Sequence, residues 1–254
     1  MSDFPNGSNR QWVTVDEEVP KWGLVSRPLT TRASRELVVD AGGDDDNPGT
    51  EGEPLATIQE AFNRLPIFIQ HDTTIRVRPG TYTDEDPAVH TGPIVQKAQC
   101  TLELVGDTDE PERVDVRSGI NSTYQGKQSH YTIRGLAFEG LSQFAGPVDL
   151  RNCVFRGNGD AAISGKNGHV FAKHCRIGSE SDKYAIWSTL MENYGLVDCQ
   201  LAANEVAIKA NGPGTHRLSA SCTVNAPIAF DADSGSLVTH GEDIYVGGKR
   251  YTPD

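Results

Sequence analysis

Cysteine is the residue type in this chain best suited to chemistry, and four of its five copies recur at a nearly fixed step. Cys153, Cys175, Cys199 and Cys222 are separated by 22, 24 and 23 residues. Thiols can bind metal or carry redox chemistry, but zinc gathers its ligands from short CxxC or HxxxH pairs, and no such pair occurs. The odd count and the long, even step predict free thiols stacked as small hydrophobes inside a repetitive core, with Cys100 as a further core thiol.

Other reactive groups are few. Asp44, Asp45, Asp46 and Asn47 form an acidic run, but Pro48 stands where a calcium loop of the EF-hand type continues with an oxygen ligand. The run therefore reads as a solvated turn, and Asp84, Glu85 and Asp86 read as a hydrated tip. His174 occupies a turn position and is assigned a structural hydrogen-bonding role. No metal and no cofactor are expected.

The elements that carry the cysteines repeat. YTIRGLAF (131 to 138) has apolar residues at its first, third, sixth and eighth places and a turn-tolerant Gly135 at the fifth. VDLRNCVF (148 to 155), VFAKHCRI (170 to 177) and YGLVDCQL (194 to 201) fit the same frame, with Asn152, His174 and Asp198 at the turn. The sixth place reads Leu136, Cys153, Cys175, Cys199, and a looser copy, RLSASCTV (217 to 224), continues it to Cys222, although Arg217 and Ser219 break its first half. Alternation that switches phase at one residue describes two short strands meeting at a bend.

A second column, AAIS (161 to 164), YAIW (184 to 187) and VAIK (206 to 209), supplies a third strand per repeat. Three strands in a period of about 23 residues predict an all-β, single-stranded parallel β-helix, since the LxxLxL signature of a leucine-rich repeat is missing. If Ile163, Ile186 and Ile208 point inward, then Ser164, Trp187 and Lys209 point outward, as do Ala162, Ala185 and Ala207. The small residues would form a flat strip for a sugar chain or a neighbouring subunit, with Trp187 as a stacking face and Lys209 beside it.

Charge narrows the partners. Asp and Glu number 35 against 23 Lys and Arg, a net charge of −12, and only 8 of the bases are Lys. Such a surface disfavours nucleic-acid phosphates and anionic membranes, and its avoidance of Lys fits a protein adapted to high salt. No apolar run approaches the ~20 residues needed to cross a bilayer. The first residues lack a basic region followed by an apolar stretch, so no secretory signal and no membrane insertion are expected.

Residues 1–35 hold Pro5, Pro20, Pro28, Trp12 and Trp22 without any repeat. They read as a docking or oligomerisation arm in which Trp12 and Trp22 pack on a partner, ahead of a β-helix domain spanning 36–254. A strand from Leu37 to Val39 then leads through the acidic loop to a capping box, Thr57 with Glu60, and a helix over 57–65 that buries Ile58, Ala61, Phe62 and Leu65. A helix of this kind closes the open end of a solenoid. A strand at Val114 to Val116 and a closing strand within IYVGGKRYTPD complete the expectation.

VDAGGDDDNPGT, PLATIQEAF and TIRVRPGTY resemble the opening of right-handed parallel β-helix proteins of the pectin-lyase-like superfamily, and the chain is similar in this to viral spike and tailspike β-helices, including those of haloarchaeal tailed viruses. The resemblance covers residues 36 to 106 by motif and about 131 to 246 by repeat. It implies a fold that hosts lyases, hydrolases, esterases and inert surface proteins alike. The NTD, DD and GHG motifs of polygalacturonase-like enzymes are missing, and THGED (239 to 243) offers only HG. GTYTD (80 to 84) has Asp84 where pectin esterases carry Glu, and no calcium-binding carboxylates with a basic partner emerge. The expected function is a virion appendage, a spike, turret or tail-fibre component at the particle surface. It would be homotrimeric, joined to other virion proteins through the arm, and used for host-glycan attachment or particle stabilisation. The alternative is a polysaccharide-degrading β-helix enzyme, a glycoside hydrolase or lyase such as a depolymerase.

Overall fold

The computed structural model describes residues 30–66, 68–83, 87, 95–96, 99–122, 130–165, 169–189, 193–232, 236–241, 243–246 and 249–251. Within it, strands that follow one another in the chain pair with strands one repeat away. Tyr131–Arg134, Pro147–Arg151, His169–Lys173, Asn193–Val197 and Gly214–Leu218 are successive parallel neighbours in a first sheet that begins at Arg35–Val39. Ala137–Glu139, Val154–Arg156, Arg176–Ile177 and Gln200–Ala202 run through a second sheet, and Ser142–Phe144, Ala161–Gly165, Tyr184–Ser188 and Val206–Ala210 through a third. Three parallel sheets visited in rotation are the faces of a right-handed parallel β-helix.

The bend between the first two sheets falls on one residue per rung in left-handed backbone geometry: Gly135 (φ 74°), Asn152 (φ 51°), His174 (φ 55°) and Asp198 (φ 52°). These are the four turn places of the repeat, filled by residue types that tolerate positive φ. The next residue turns inward, and Leu136, Cys153, Cys175, Cys199 and Cys222 are all buried. The cysteines are free. Each does more than fill space, because a buried backbone carbonyl needs a donor. The Cys153 thiol donates to Arg151 O at 3.2 Å, Cys175 to Lys173 O at 3.4 Å and Cys199 to Val197 O at 3.3 Å. Hydrogen bonding with Cys153 and Cys199, together with burial, holds the Cys175 thiol well above its ordinary pKa. It stays protonated and inert.

The fifth rung departs from the frame for a simple reason. Its inward residues are His216 and Leu218, paired with Tyr194 and Leu196. Four residues rather than three then separate Leu218 from Cys222. The extra residue is absorbed by a tight turn, with Cys222 N–H donating to Ser219 O at 3.0 Å. Arg217 and Ser219 therefore do not interrupt the core positions; the frame starts one residue earlier.

At the first end of the solenoid, helix α1 (Ile58–Asn63) buries Ile58, Ala61 and Phe62, and Leu65 beyond it is also buried. Thr57 Oγ1 accepts from Glu60 N–H at 3.0 Å, which is half of a capping box. The other half is replaced: Asp45 Oδ1 accepts from Ala56 and Thr57 N–H, each at 2.9 Å, and its Oδ2 accepts from the Thr57 hydroxyl at 2.8 Å. Glu60 instead pairs with Arg64 at 2.7 Å, and Arg64 donates to the carbonyls of Asp45 and Asn47. The acidic loop is thus a clamp on the cap helix. Asp45→Ala is expected to lower stability by about 1–2 kcal/mol, measured by urea denaturation; no change in midpoint would mean the helix needs no such clamp.

At the other end, Asp243–Val246 pairs antiparallel with Ser236–His240, and Lys249–Tyr251 pairs antiparallel with Asp243–Val246, so two strands rather than one close the first sheet. Thr31, near the end of the proposed arm, is fixed to the body through Phe68 O at 3.1 Å and by accepting from Gln70 and His71 N–H. Trp12, Trp22, Asp84, Glu85, Asp86 and Glu242 lie outside the described residues.

Candidate functional site

A solenoid interior is filled, so any site must lie on an outer face. Along the first sheet the outward residues form the column Thr132, Asp149, Phe171, Gly195, Arg217, Thr239, each paired with the next across adjacent strands. A groove of about 520 Å³ runs over it, lined also by His130, His169, Asn193 and Thr215. Phe171 is 40% exposed. Its ring lies over the next rung, where Gly195 leaves room: a Cβ there would stand 3.1 Å from the ring edge. The glycine lets a flat aromatic surface form on the outside of the sheet.

Polar groups flank the ring. On one side, Asp149 meets Arg151 at 3.1 Å and His130 at 3.4 Å. Beneath, Asn193 Nδ2 approaches His169 Nδ1 at 3.2 Å while Asn193 Oδ1 accepts from Thr215 N–H at 3.1 Å. On the far side stands exposed Arg217. Among the groove's described lining residues Asp149 is the one carboxylate. An exposed aromatic face bordered by hydrogen-bonding side chains suits a sugar ring, whose axial C–H face is apolar and whose rim is hydroxylated.

The third sheet holds the residues singled out by sequence. Ser164, Trp187, Lys209 and Asp231 pair in register, but Ser164, expected to point outward, is buried, while the other three are half-buried. Trp187 is half-buried, its ring tilted against Tyr184 at 6.0 Å. Lys209 Nζ meets Asp231 at 2.5 Å. The alanines are a correction: Ala162, Ala185 and Ala207 are fully buried, as are Ile163, Ile186 and Ile208. Two adjacent inward side chains are incompatible with a straight strand, and the Ala position drops out of the pairing between neighbouring rungs. The chain turns a corner there, inside which a methyl group packs. No flat strip of alanines reaches the surface.

A smaller cavity, about 340 Å³, opens over the turn column and is lined by Asn152, His174, Arg176, Asp198 and Gln200. His174 Nε2 lies 3.2 Å from Asp198 Oδ2. A hydrogen bond from Ser221, with a smaller contribution from His174, holds the Asp198 carboxyl below the usual range. The arrangement braces successive turns. Asp44 Oδ1 accepts from Asp46 N–H at 2.9 Å, closing the acidic loop on itself. Among the described residues no group of three His, Cys, Asp or Glu is placed to hold a metal ion, and no helix is long and apolar enough to cross a membrane.

Comparison with known proteins gives a structural likeness but no sequence match. No family model and no curated protein matches the sequence. A solved rhamnogalacturonan lyase superposes with a TM-score of 0.38 at 13% identity, over 82% of this chain and 65% of that one.

Phe171 and Gly195 were visible in the repeat as the second places of VFAKHCRI and YGLVDCQL. The signal that finds them is an aromatic at an outward place followed, one rung later, by glycine at the same place. His216 was hidden by the one-residue shift of the fifth rung.

Proposed function

We propose that this chain is a glycan-binding β-helix whose recognition surface is the outer face of the first sheet, displayed as a spike, turret or tail-fibre appendage on a virus particle. The observation that carries the binding reading is the Phe171 ring lying over Gly195 in a groove bordered by His130, Asp149, His169, Asn193 and Arg217. Stacking one sugar on such a ring contributes on the order of 1 kcal/mol or more, and the hydrogen-bonding rim selects its orientation. Hydrolysis of a glycosidic bond uses two carboxylates, whereas Asp149 is the one carboxylate among the described lining residues and is already paired with Arg151 and His130. Attachment is therefore favoured over hydrolysis at this groove.

The particle setting rests on the combination of an arm bearing Trp12 and Trp22 and a surface unsuited to nucleic acid. A homotrimer joined to other virion proteins through that arm belongs to the same proposal, and a purely monomeric mass in solution would count against it. For the glycan site, the purified chain is applied to an array of surface polysaccharides and oligosaccharides. Retention by wild type and at least ~10-fold weaker retention by Phe171→Ala is the expected result. Release of reducing or unsaturated ends from any bound glycan would replace the attachment reading with the enzymatic one.

A further inference from the structure

Arg217 stands apart among the arginines around it. Arg134 pairs with Glu103, Arg151 with Asp149, Arg156 with Glu112 and Glu139, and Arg176 with Glu112. Arg217 makes no side-chain hydrogen bond or ion pair with a described residue, although the chain carries 35 acidic residues and a net charge of −12. An exposed guanidinium unpaired on so acidic a protein is a directional site for a carboxylate or a sulfate, which it meets through two parallel N–H donors.

Its position fixes what it could recognise. Phe171, Gly195 and Arg217 are successive members of one outward column, so Arg217 stands two rungs, about 10 Å, from the Phe171 backbone, the ring covering the rung between. Asp149, the one carboxylate among the described lining residues, is on the opposite side of Phe171 and already engaged by Arg151. Among the described residues, an anionic group approaching Arg217 therefore meets no competing internal partner.

We infer that the groove selects a glycan bearing an anionic substituent, with one sugar face on Phe171 and the carboxylate or sulfate of that sugar or its neighbour paired with Arg217. The inference rests on the glycan-binding reading above and adds charge specificity and a direction along the solenoid axis. The guanidinium acts by binding alone, and no bond is made or broken.

The test uses full-length wild type, Arg217→Gln and Arg217→Lys against four probe sets: oligouronates, their carboxyl-reduced forms, sulfated oligosaccharides and their desulfated forms. Calorimetry is expected to show wild type binding a charged probe at least ~10-fold more tightly than its neutralised form, a preference lost in Arg217→Gln, and partly kept in Arg217→Lys. Carboxylate and sulfate are told apart by which pair shows the difference. Equal binding of charged and neutralised probes by wild type, or unchanged preference in Arg217→Gln, overturns the charge inference and leaves glycan binding standing. Binding of no probe by wild type, with none on the wider array, removes the glycan reading itself. Circular dichroism of the variants guards against misfolding, and Arg217 is exposed, so none is expected.

Discussion

Phe155→Ala is expected to destabilise the protein by about 4 kcal/mol, the largest effect foreseen for a single substitution. The Phe155 ring is fully buried, stacks on Phe138 with centroids 5.2 Å apart, and meets the edge of Phe144 at 6.1 Å. It joins the second sheet to the third across the interior. Truncation removes the transfer free energy of the ring and leaves a cavity whose walls are strands fixed by their own ladders, so little collapse can relieve it. Phe155→Leu should recover more than half of the loss. Urea denaturation followed by far-UV circular dichroism checks both, and a loss below ~1 kcal/mol for Phe155→Ala would mean these rungs are not packed as described. Because repeats contact only their neighbours, hydrogen exchange should show the loosening centred on the rungs of Phe138 and Phe155.

Acid is expected to weaken the fold in a window belonging to one histidine. His216 is fully buried against Tyr194, with ring centroids 5.3 Å apart, and neither ring nitrogen has a hydrogen-bond partner among the described residues. Burial pushes its pKa down to about 4 from an ordinary 6.5. The unfolded chain then binds a proton that the folded chain refuses. Stability from this residue is complete above about pH 7, falls as pH drops through 6.5 toward 4, and is spent below that; its full size is about 3 kcal/mol. Carboxylates held below their ordinary values, such as Glu112 by its hydrogen bond to Arg176, lose their contribution only at lower pH. Thermal melts between pH 7.5 and 4 should therefore show a fall in wild type that His216→Phe lacks. Parallel curves for the two proteins would contradict the neutral, buried imidazole.

The repeat was legible because inward positions in a solenoid are constrained twice, by burial and by the neighbours above and below. Gly135, Asn152, His174 and Asp198 announced the bend, and Leu136 with the four cysteines announced the core. The cap helix was legible from Thr57 and its apolar spacing. Three features were not. Ala162, Ala185 and Ala207 obey alternation in sequence but sit at a corner, where two consecutive side chains face inward. Asp45 looked like a hydrated turn because its partners, Ala56 and Thr57, are eleven and twelve residues away. Asp182, fully buried and accepting from Gly157 and Gly159 N–H and the Ser179 hydroxyl, has the same character. Long-range polar contacts leave no period in the sequence.

The candidate site shows the same division. Trp187 drew attention as the largest aromatic in the repeats, yet it leans on Tyr184 and is half-buried. Phe171 is the more exposed platform because Gly195 clears the surface beside it. Gly195→Val is expected to lift the ring from the sheet and reduce glycan retention about as far as Phe171→Ala does, with little change in the melting temperature, since the new side chain points outward. Retention unchanged in Gly195→Val would show that the lie of the ring does not matter.

The central claim is that a glycan docks on the outer face of the first sheet. Amide chemical-shift mapping of the isotope-labelled protein, titrated with the glycan that the array selects, tests it most directly. Shifts clustered on Asp149, Phe171, Gly195, Asn193 and Arg217 are predicted. Shifts gathered instead around Trp187 and Lys209, or scattered over all three sheets, would contradict it.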